Sequence, residues 1–121
     1  MKLEQFYKNL GGSYQEIKDR LQSDDLIQRF TLKFLNDKSY ETLCKAVEEE
    51  NYDEAFRAAH TLKGVCQNLS FGNLSKSSSE LTELLRNRAT EPVDMDKCKE
   101  LLSIVSVDYR AVTVAIESLQ A

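Results

Sequence analysis

The sequence predicts an all-α protein, an antiparallel four-helix bundle with additional short N-terminal helices. Three observations lead there. Apolar residues recur at helical spacing along nearly the whole chain. Turn formers are scarce, with four glycines and one proline in 121 residues, too few for the tight turns of a strand-rich fold. The length fits one domain over residues 1–121, enough to bury a continuous core without disulfides or metal.

The elements follow in order. Leu3 to Leu10 forms a first short helix that stops at Gly11-Gly12. Ser13 is placed to cap a second, with Glu16 as its capping-box partner, running to about Leu21. Ser23 or Asp24 caps a third, which holds Leu26, Ile27, Phe30, Phe34 and Leu35 and breaks at Asn36-Asp37-Lys38-Ser39. Tyr40, Leu43, Cys44 and Val47 lie at i, i+3, i+4 and i+7, one apolar stripe of a fourth helix. Asn51-Tyr52-Asp53 reads as a turn in which Asp53 caps a helix reaching about Leu69. Residues 70–73 read as a break. Leu74, Leu81, Leu84 and Leu85, with small Ser77 and Ser78 on the same face, mark the next helix, and Arg88 to Pro92 a loop. Asp94 caps a long final helix whose positions Cys98, Leu101, Leu102, Val105, Tyr109, Val112, Ile116 and Leu119 approach a heptad. That stripe would also suit a dimer seam, but inside a bundle a core role uses it more economically, and a monomer is expected.

Composition excludes several function classes. A formal charge of −4 and the lack of a basic stripe argue against nucleic acid; Arg86-Asn87-Arg88 is the usual basic end of a helix. No run reaches the roughly 20 apolar residues of a membrane span, and the charged start Met1-Lys2-Leu3-Glu4 does not resemble a signal peptide, so no membrane association and a cytoplasmic protein are expected. Cys44, Cys66 and Cys98 are widely spaced and odd in number, which reads as reduced core thiols. With a single histidine they do not form a zinc site, and no metal is expected.

The helix from Asp53 to Leu69 holds the chemistry. On a wheel of about 100° per residue, Ala55, Ala59, Leu62, Cys66 and Leu69 share a narrow arc flanked by Ala58 and Val65, a complete core face. The opposite face carries Asp53, Arg57, His60, Gly64 and Gln67, with Phe56 and Lys63 at its edge. The only histidine therefore points away from the core. A lone histidine is more often an ordinary surface residue, but its neighbours are unusual. Gly64, one turn on, sits in a helix interior at a cost of about 1 kcal/mol relative to alanine and leaves bare backbone beside the imidazole. Lys63, at i+3, is within reach of an anion on the ring. Phe56, one turn earlier, suits a docking surface. Cys66 lies about 120° away on the same wheel, too far round for a Cys–His nucleophile pair.

His60-Thr61-Leu62-Lys63-Gly64, followed by Asn68-Leu69 and Leu74 and preceded by Ala58-Ala59, resembles the signature of the histidine phosphotransfer (HPt) family. Ser70 stands where many members have glycine, with Gly72 two residues later, a departure that concerns how the helix ends. The resemblance implies a four-helix bundle and a phosphocarrier without autokinase activity. His60 would take a phosphoryl group from a phospho-aspartate on a response-regulator receiver domain and return it, Lys63 and Gln67 would stabilise that group, and a hybrid sensor kinase would stand upstream. It implies no cofactor on this chain, the Mg²⁺ belonging to the receiver. Gly64, Phe56 and Arg57, with Phe30 and Phe34 on a neighbouring helix, would form the surface that the receiver approaches. No nucleotide-binding glycine loop is present. The rival reading is a helical interaction module or receiver-docking inhibitor that moves no phosphate.

Overall fold

A computed structural model of the chain describes residues 1–120. Among them are seven α-helices: α1 (Leu3–Asn9), α2 (Tyr14–Leu21), α3 (Asp24–Lys33), α4 (Ser39–Glu48), α5 (Tyr52–Leu69), α6 (Gly72–Leu85) and α7 (Met95–Gln120). A single 3₁₀ turn, Phe34–Asn36, extends α3. Helices α4 to α7 form a closed ring in which α5 packs against α4 and α6, and α7 against the same two, so α5 and α7 lie diagonally opposite. The connections at 49–51 and 70–71 are too short for anything but antiparallel neighbours. Helix α1 packs on α2 and on α7, and α2 on α3.

The bundle core is the expected one in its centre, but Tyr40, Cys44, Leu84, Leu102 and Tyr109, expected on the same stripes, lie at its edge and are only half-buried. Leu43, Ala46 and Val47 of α4, Leu62 and Cys66 of α5, and Leu74, Leu81 and Leu85 of α6 are buried. So are Cys98, Leu101, Val105, Val112, Ile116 and Leu119 of α7, which makes the heptad stripe core within one chain and not a seam between two. Ser77, Ser78 and Thr82 are buried without orphaned hydroxyls: Ser77 and Ser78 donate to the Leu74 carbonyl at 3.3 and 2.6 Å, and Thr82 to that of Ser78 at 2.7 Å. Tyr40 stacks on Tyr109 at 3.9 Å between centroids and donates its hydroxyl to Ser106 at 2.7 Å, tying α4 to α7.

One end of the bundle is closed by aromatics. Phe6 and Tyr7 of α1 are fully buried with Phe71, their rings 6.2 and 6.3 Å from it, and Phe34 meets Phe71 edge-on at 5.2 Å. Below this cluster the connection after α1 presses on the connection after α5. Asn73 N–H donates to the Leu10 carbonyl at 3.0 Å and Ser13 N–H to the Ser70 hydroxyl at 3.0 Å. A side chain at Gly12 would collide with the Ser70 carbonyl oxygen, and one at Gly72 with that of Gly11. Ser70 itself is left-handed, φ 60, the geometry that glycine adopts freely at a helix C-terminus. Its hydroxyl's bond from Ser13 offsets that strain, which explains how a serine serves here.

Several boundaries differ from the sequence expectation. Asn51, not Asp53, caps α5: its Oδ1 accepts from Glu54 N–H at 3.2 Å, leaving Asp53 inside the first turn. Ser23, not Asp24, caps α3, accepting from Leu26 N–H. Ser13 caps α2 by accepting from Glu16 N–H at 3.1 Å, but the reciprocal half of the capping box is absent, because Ser13 N–H is taken by Ser70 and the Glu16 carboxylate by Arg20. The break at 70–73 shrinks to 70–71, since the bare Gly72 lets α6 begin against the α1–α2 connection. Asp94 caps α7 as expected, accepting from Lys97 N–H at 3.0 Å.

Because the obstacle at Gly72 is backbone that has nowhere to move, Gly72→Ala is expected to destabilise the protein by about 3 kcal/mol, read as a lowered urea midpoint at unchanged slope. A wild-type midpoint in this variant would mean that the two connections are not in contact.

Candidate functional site

Helix α5 owes its orientation to its inner face. Ala55, Ala58, Ala59, Leu62 and Cys66 are buried, and the alanines let α4 and α6 approach closely. Leu69, expected in the core, is half-buried, as is Val65, because both face a groove. Asp53 and Glu54 place negative charge at the positive end of the helix. With the inner face fixed, Arg57, His60, Thr61, Gln67 and Asn68 are exposed, and Phe56, Lys63 and Gly64 are partly so.

The imidazole of His60 makes no side-chain hydrogen bond among the described residues. A helical side chain leans toward the N-terminus, over the preceding turn. That turn holds Phe56, whose ring centroid lies 6.0 Å from that of His60 at an interplanar angle of 39°. On the other side stands Gly64, where an added Cβ would meet nothing within 4 Å. No internal packing therefore requires glycine there; the space it clears is open to the outside.

The cations around His60 are not equivalent. Arg57 pairs with Glu54 at 3.0 Å, Arg86 with Glu83 at 2.8 Å and Arg88 with Asp53 at 2.7 Å. Lys63 makes no ion pair among the described residues, although its charge helps to hold the Glu83 carboxyl below the usual range, an effect due first to Arg86. Phe56 is overlaid by two guanidinium groups, Arg88 at 4.2 Å and Arg86 at 5.5 Å from the ring centroid. Gln67 projects an exposed side chain one turn beyond Lys63, while its carbonyl and that of Asn68 accept from Arg20 of α2 at 3.5 and 2.8 Å. Cys66 shares the helix but is fully buried, and burial pushes its thiol far above the ordinary range, so it is no nucleophile.

Beyond Gly64, Val65, Asn68 and Leu69 form one wall of a groove of about 450 Å³ whose other wall is α2 and α3, with Arg20 and Lys33 at its lining. The two phenylalanines expected on a docking surface part company here. Phe30 is 40% exposed, with the Lys33 ammonium 5.2 Å from its ring. Phe34 is 2% exposed: the 3₁₀ turn rotates it into contact with Phe71 and Tyr109, and it is core that underlies the groove and not a free surface residue. Arg20, Arg86 and Arg88 are not recognisable as site residues from the sequence. Their partners lie 47, 30 and 32 positions away in sequence, beyond any local pattern. Only the Arg86-Asn87-Arg88 cluster signalled the latter two, as a helix end.

Among the described residues no three His, Cys, Asp or Glu side chains gather as a metal cluster, and no helix is long and apolar enough to cross a membrane. Since Gly64 is uncrowded and helical, Gly64→Ala is expected to stabilise the protein by about 0.5–1 kcal/mol, visible as a raised thermal midpoint. A lowered midpoint would reveal a packing role.

Comparison with curated proteins and with solved structures finds no match. The sequence model of the Hpt domain matches residues 35–120, from the 3₁₀ turn through α7 and including all of α5. This span is the whole four-helix ring; α1, α2 and α3 precede it. The chain belongs to the Hpt domain family, the histidine phosphotransfer modules of two-component phosphorelays.

Proposed function

We propose that His60 exchanges a phosphoryl group with the phospho-aspartate of response-regulator receiver domains. The observation that carries this reading is the pairing of an uncovered imidazole with a cation left free beside it: Gly64 clears one side of His60, and Lys63, unlike Arg57, Arg86 and Arg88, makes no ion pair among the described residues. In the forward step the lone pair of an unprotonated ring nitrogen attacks phosphorus. The N–P bond forms as the acyl-phosphate P–O bond breaks, and the aspartate leaves as a carboxylate. The return step runs the same path backwards. Such transfers depend on positioning and charge neutralisation more than on covalent machinery. Lys63 supplies charge to the phosphoryl oxygens and Gln67 orients them by hydrogen bonding. The receiver supplies the aspartate, the acidic pocket and its Mg²⁺, so this chain binds no cofactor.

Docking uses the flanks. The groove between α5 and the α2–α3 pair is lined on α5 by Val65 and Asn68, one position and one turn after Gly64, and its exposed Phe30 offers an apolar contact beside Lys33. Phe56 and Arg57 form the opposite flank. A hybrid sensor kinase is the source of phosphoryl groups in this reading, the protein works as a monomer in the cytoplasm, and it does not turn over ATP.

Incubation with a phosphorylated receiver is expected to give an acid-labile, base-stable label on the wild type and none on His60→Gln. Equal labelling of the variant, or none of the wild type with any candidate receiver, would falsify the carrier role. A docking-only protein would bind the receiver with and without His60 and take no label from it. Lys63→Ala is expected to slow transfer about 10-fold, equivalent to ~1.4 kcal/mol of transition-state stabilisation. Substituting a bulky residue at Gly64 is expected to slow transfer while the helix stays folded; unchanged rates would remove either residue from the mechanism. Phe30→Ala is expected to weaken receiver binding about 10-fold by titration, a loss near that of one buried anchor. Wild-type affinity in that variant would move docking off the groove.

A further inference from the structure

The N-terminal side of His60 is built from parts that the transfer chemistry does not itself require. Arg88 lies in the connection after α6, yet its side chain is only 21% exposed. Its Nε donates to Asp53 Oδ1 at 2.7 Å and its Nη1 to the Leu85 and Arg86 carbonyls at 3.3 and 3.4 Å. Held at these points, the guanidinium lies 4.2 Å from the Phe56 centroid, well inside the range of a cation–π contact. Phe56 in turn lies 6.0 Å from His60, within the range of an aromatic pair. Asp53, Phe56 and His60 are spaced at i, i+3 and i+7, so the anchor, the ring and the imidazole rise along one face of α5.

We propose that Arg88 is a positioning residue for His60. Its guanidinium, tethered to Asp53, holds the Phe56 ring as a backstop that limits the orientations of the imidazole. This rests on the reading of His60 as the phosphoryl acceptor. Two features favour positioning over simple surface stabilisation. The Asp53 carboxylate is 71% exposed, and a pair with so exposed a partner contributes little to folding. The second cation over the same ring, Arg86, follows directly on α6 and is held by Glu83 of that helix at i,i+3, with no hydrogen bond or ion pair to α5 among the described residues. Of the two guanidinium groups over Phe56, only that of Arg88 hydrogen-bonds a residue of α5 among the described residues. The imidazole is therefore backed on the side of Phe56 and open on the side of Gly64, and an incoming phosphorus meets a nucleophile with part of its rotational freedom already removed.

The chain has one histidine, so its ring resonances identify themselves in a proton–carbon correlation spectrum. In the wild type the ring protons of His60 are expected to be displaced by the Phe56 ring current. Arg88→Met, which keeps the length and removes the cation and the donors, is expected to move them toward free-imidazole values. It is also expected to slow phosphorylation by phosphoramidate about 3- to 10-fold, in line with a loosened nucleophile. Arg88→Lys, which retains a cation over the ring and one donor to Asp53, is expected to recover most of both effects. Asp53→Asn weakens the same tether without changing volume and serves if Arg88→Met fails to fold. Wild-type resonances and rates in Arg88→Met overturn the proposal, as does a rate loss that follows stability while the resonances stay fixed. If phosphoramidate labels no wild-type protein, it is the carrier reading that fails, and the resonances alone then decide whether Arg88 orients the ring.

Discussion

Burial of the small-residue face of α5 is the constraint on which the site depends. Ala55, Ala58 and Ala59 allow close contact with the neighbouring helices, and Leu62 and Cys66 continue that face into the core. A helix clamped on this stripe has one rotation available, since a shift of one residue turns it by about 100° and would expose leucine while burying histidine. Every outward feature, from the Asp53 anchor to Gly64 and Gln67, inherits its direction from that clamp. The candidate site involves no strained loop or buried charge; it lies on the far side of a well-packed helix.

The N-terminal helices relate to this helix differently. They lie outside the span that the family shares, and they reach the bundle through an aromatic cluster and a contact between two connections that admits no side chain at Gly12 or Gly72. Arg20 adds a link to the site itself by taking up the carbonyls of Gln67 and Asn68. A helix C-terminus leaves such carbonyls without intrahelical partners, and a guanidinium suits them by hydrogen bonding and charge. One wall of the groove along Val65, Asn68 and Leu69 thus belongs to the shared bundle and the other to these additional helices.

The fold was largely legible in the sequence because period, caps and breaks all agree. The stripe Tyr40-Leu43-Cys44-Val47 and the heptad of α7 each mark one face, and Ser13, Ser23 and Asp94 cap as their residue types suggest. The misreadings share a cause. Asp53 is as good a cap as Asn51 by type, but it is Asn51 that accepts from Glu54 N–H, while Asp53 lies inside the first turn and pairs with Arg88. Glu16 fits a capping box until Ser70 arrives from the other connection. Phe34 looks like a surface partner of Phe30 until the chain tightens into a 3₁₀ turn. At the site, the outward direction of His60 and the neighbourhood of Lys63 and Gly64 follow from helical spacing alone. The guanidinium groups over Phe56 do not, because no periodicity relates residues from different helices.

The incomplete pairing around His60 has an electrostatic consequence. Arg57, Lys63, Arg86 and Arg88 face Glu54, Glu83 and Asp53, four positive charges against three negative, a local balance of +1 on a chain of net −4. On the proposed reading of His60, a phosphoryl group there would add roughly −1.5 to −2, enough to reverse the sign of this small region. Empty and loaded forms would then present opposite fields to an acidic receiver pocket: the first attracts it, and the second favours its departure. Loading would itself promote dissociation, so the carrier would not linger on the partner that has just discharged.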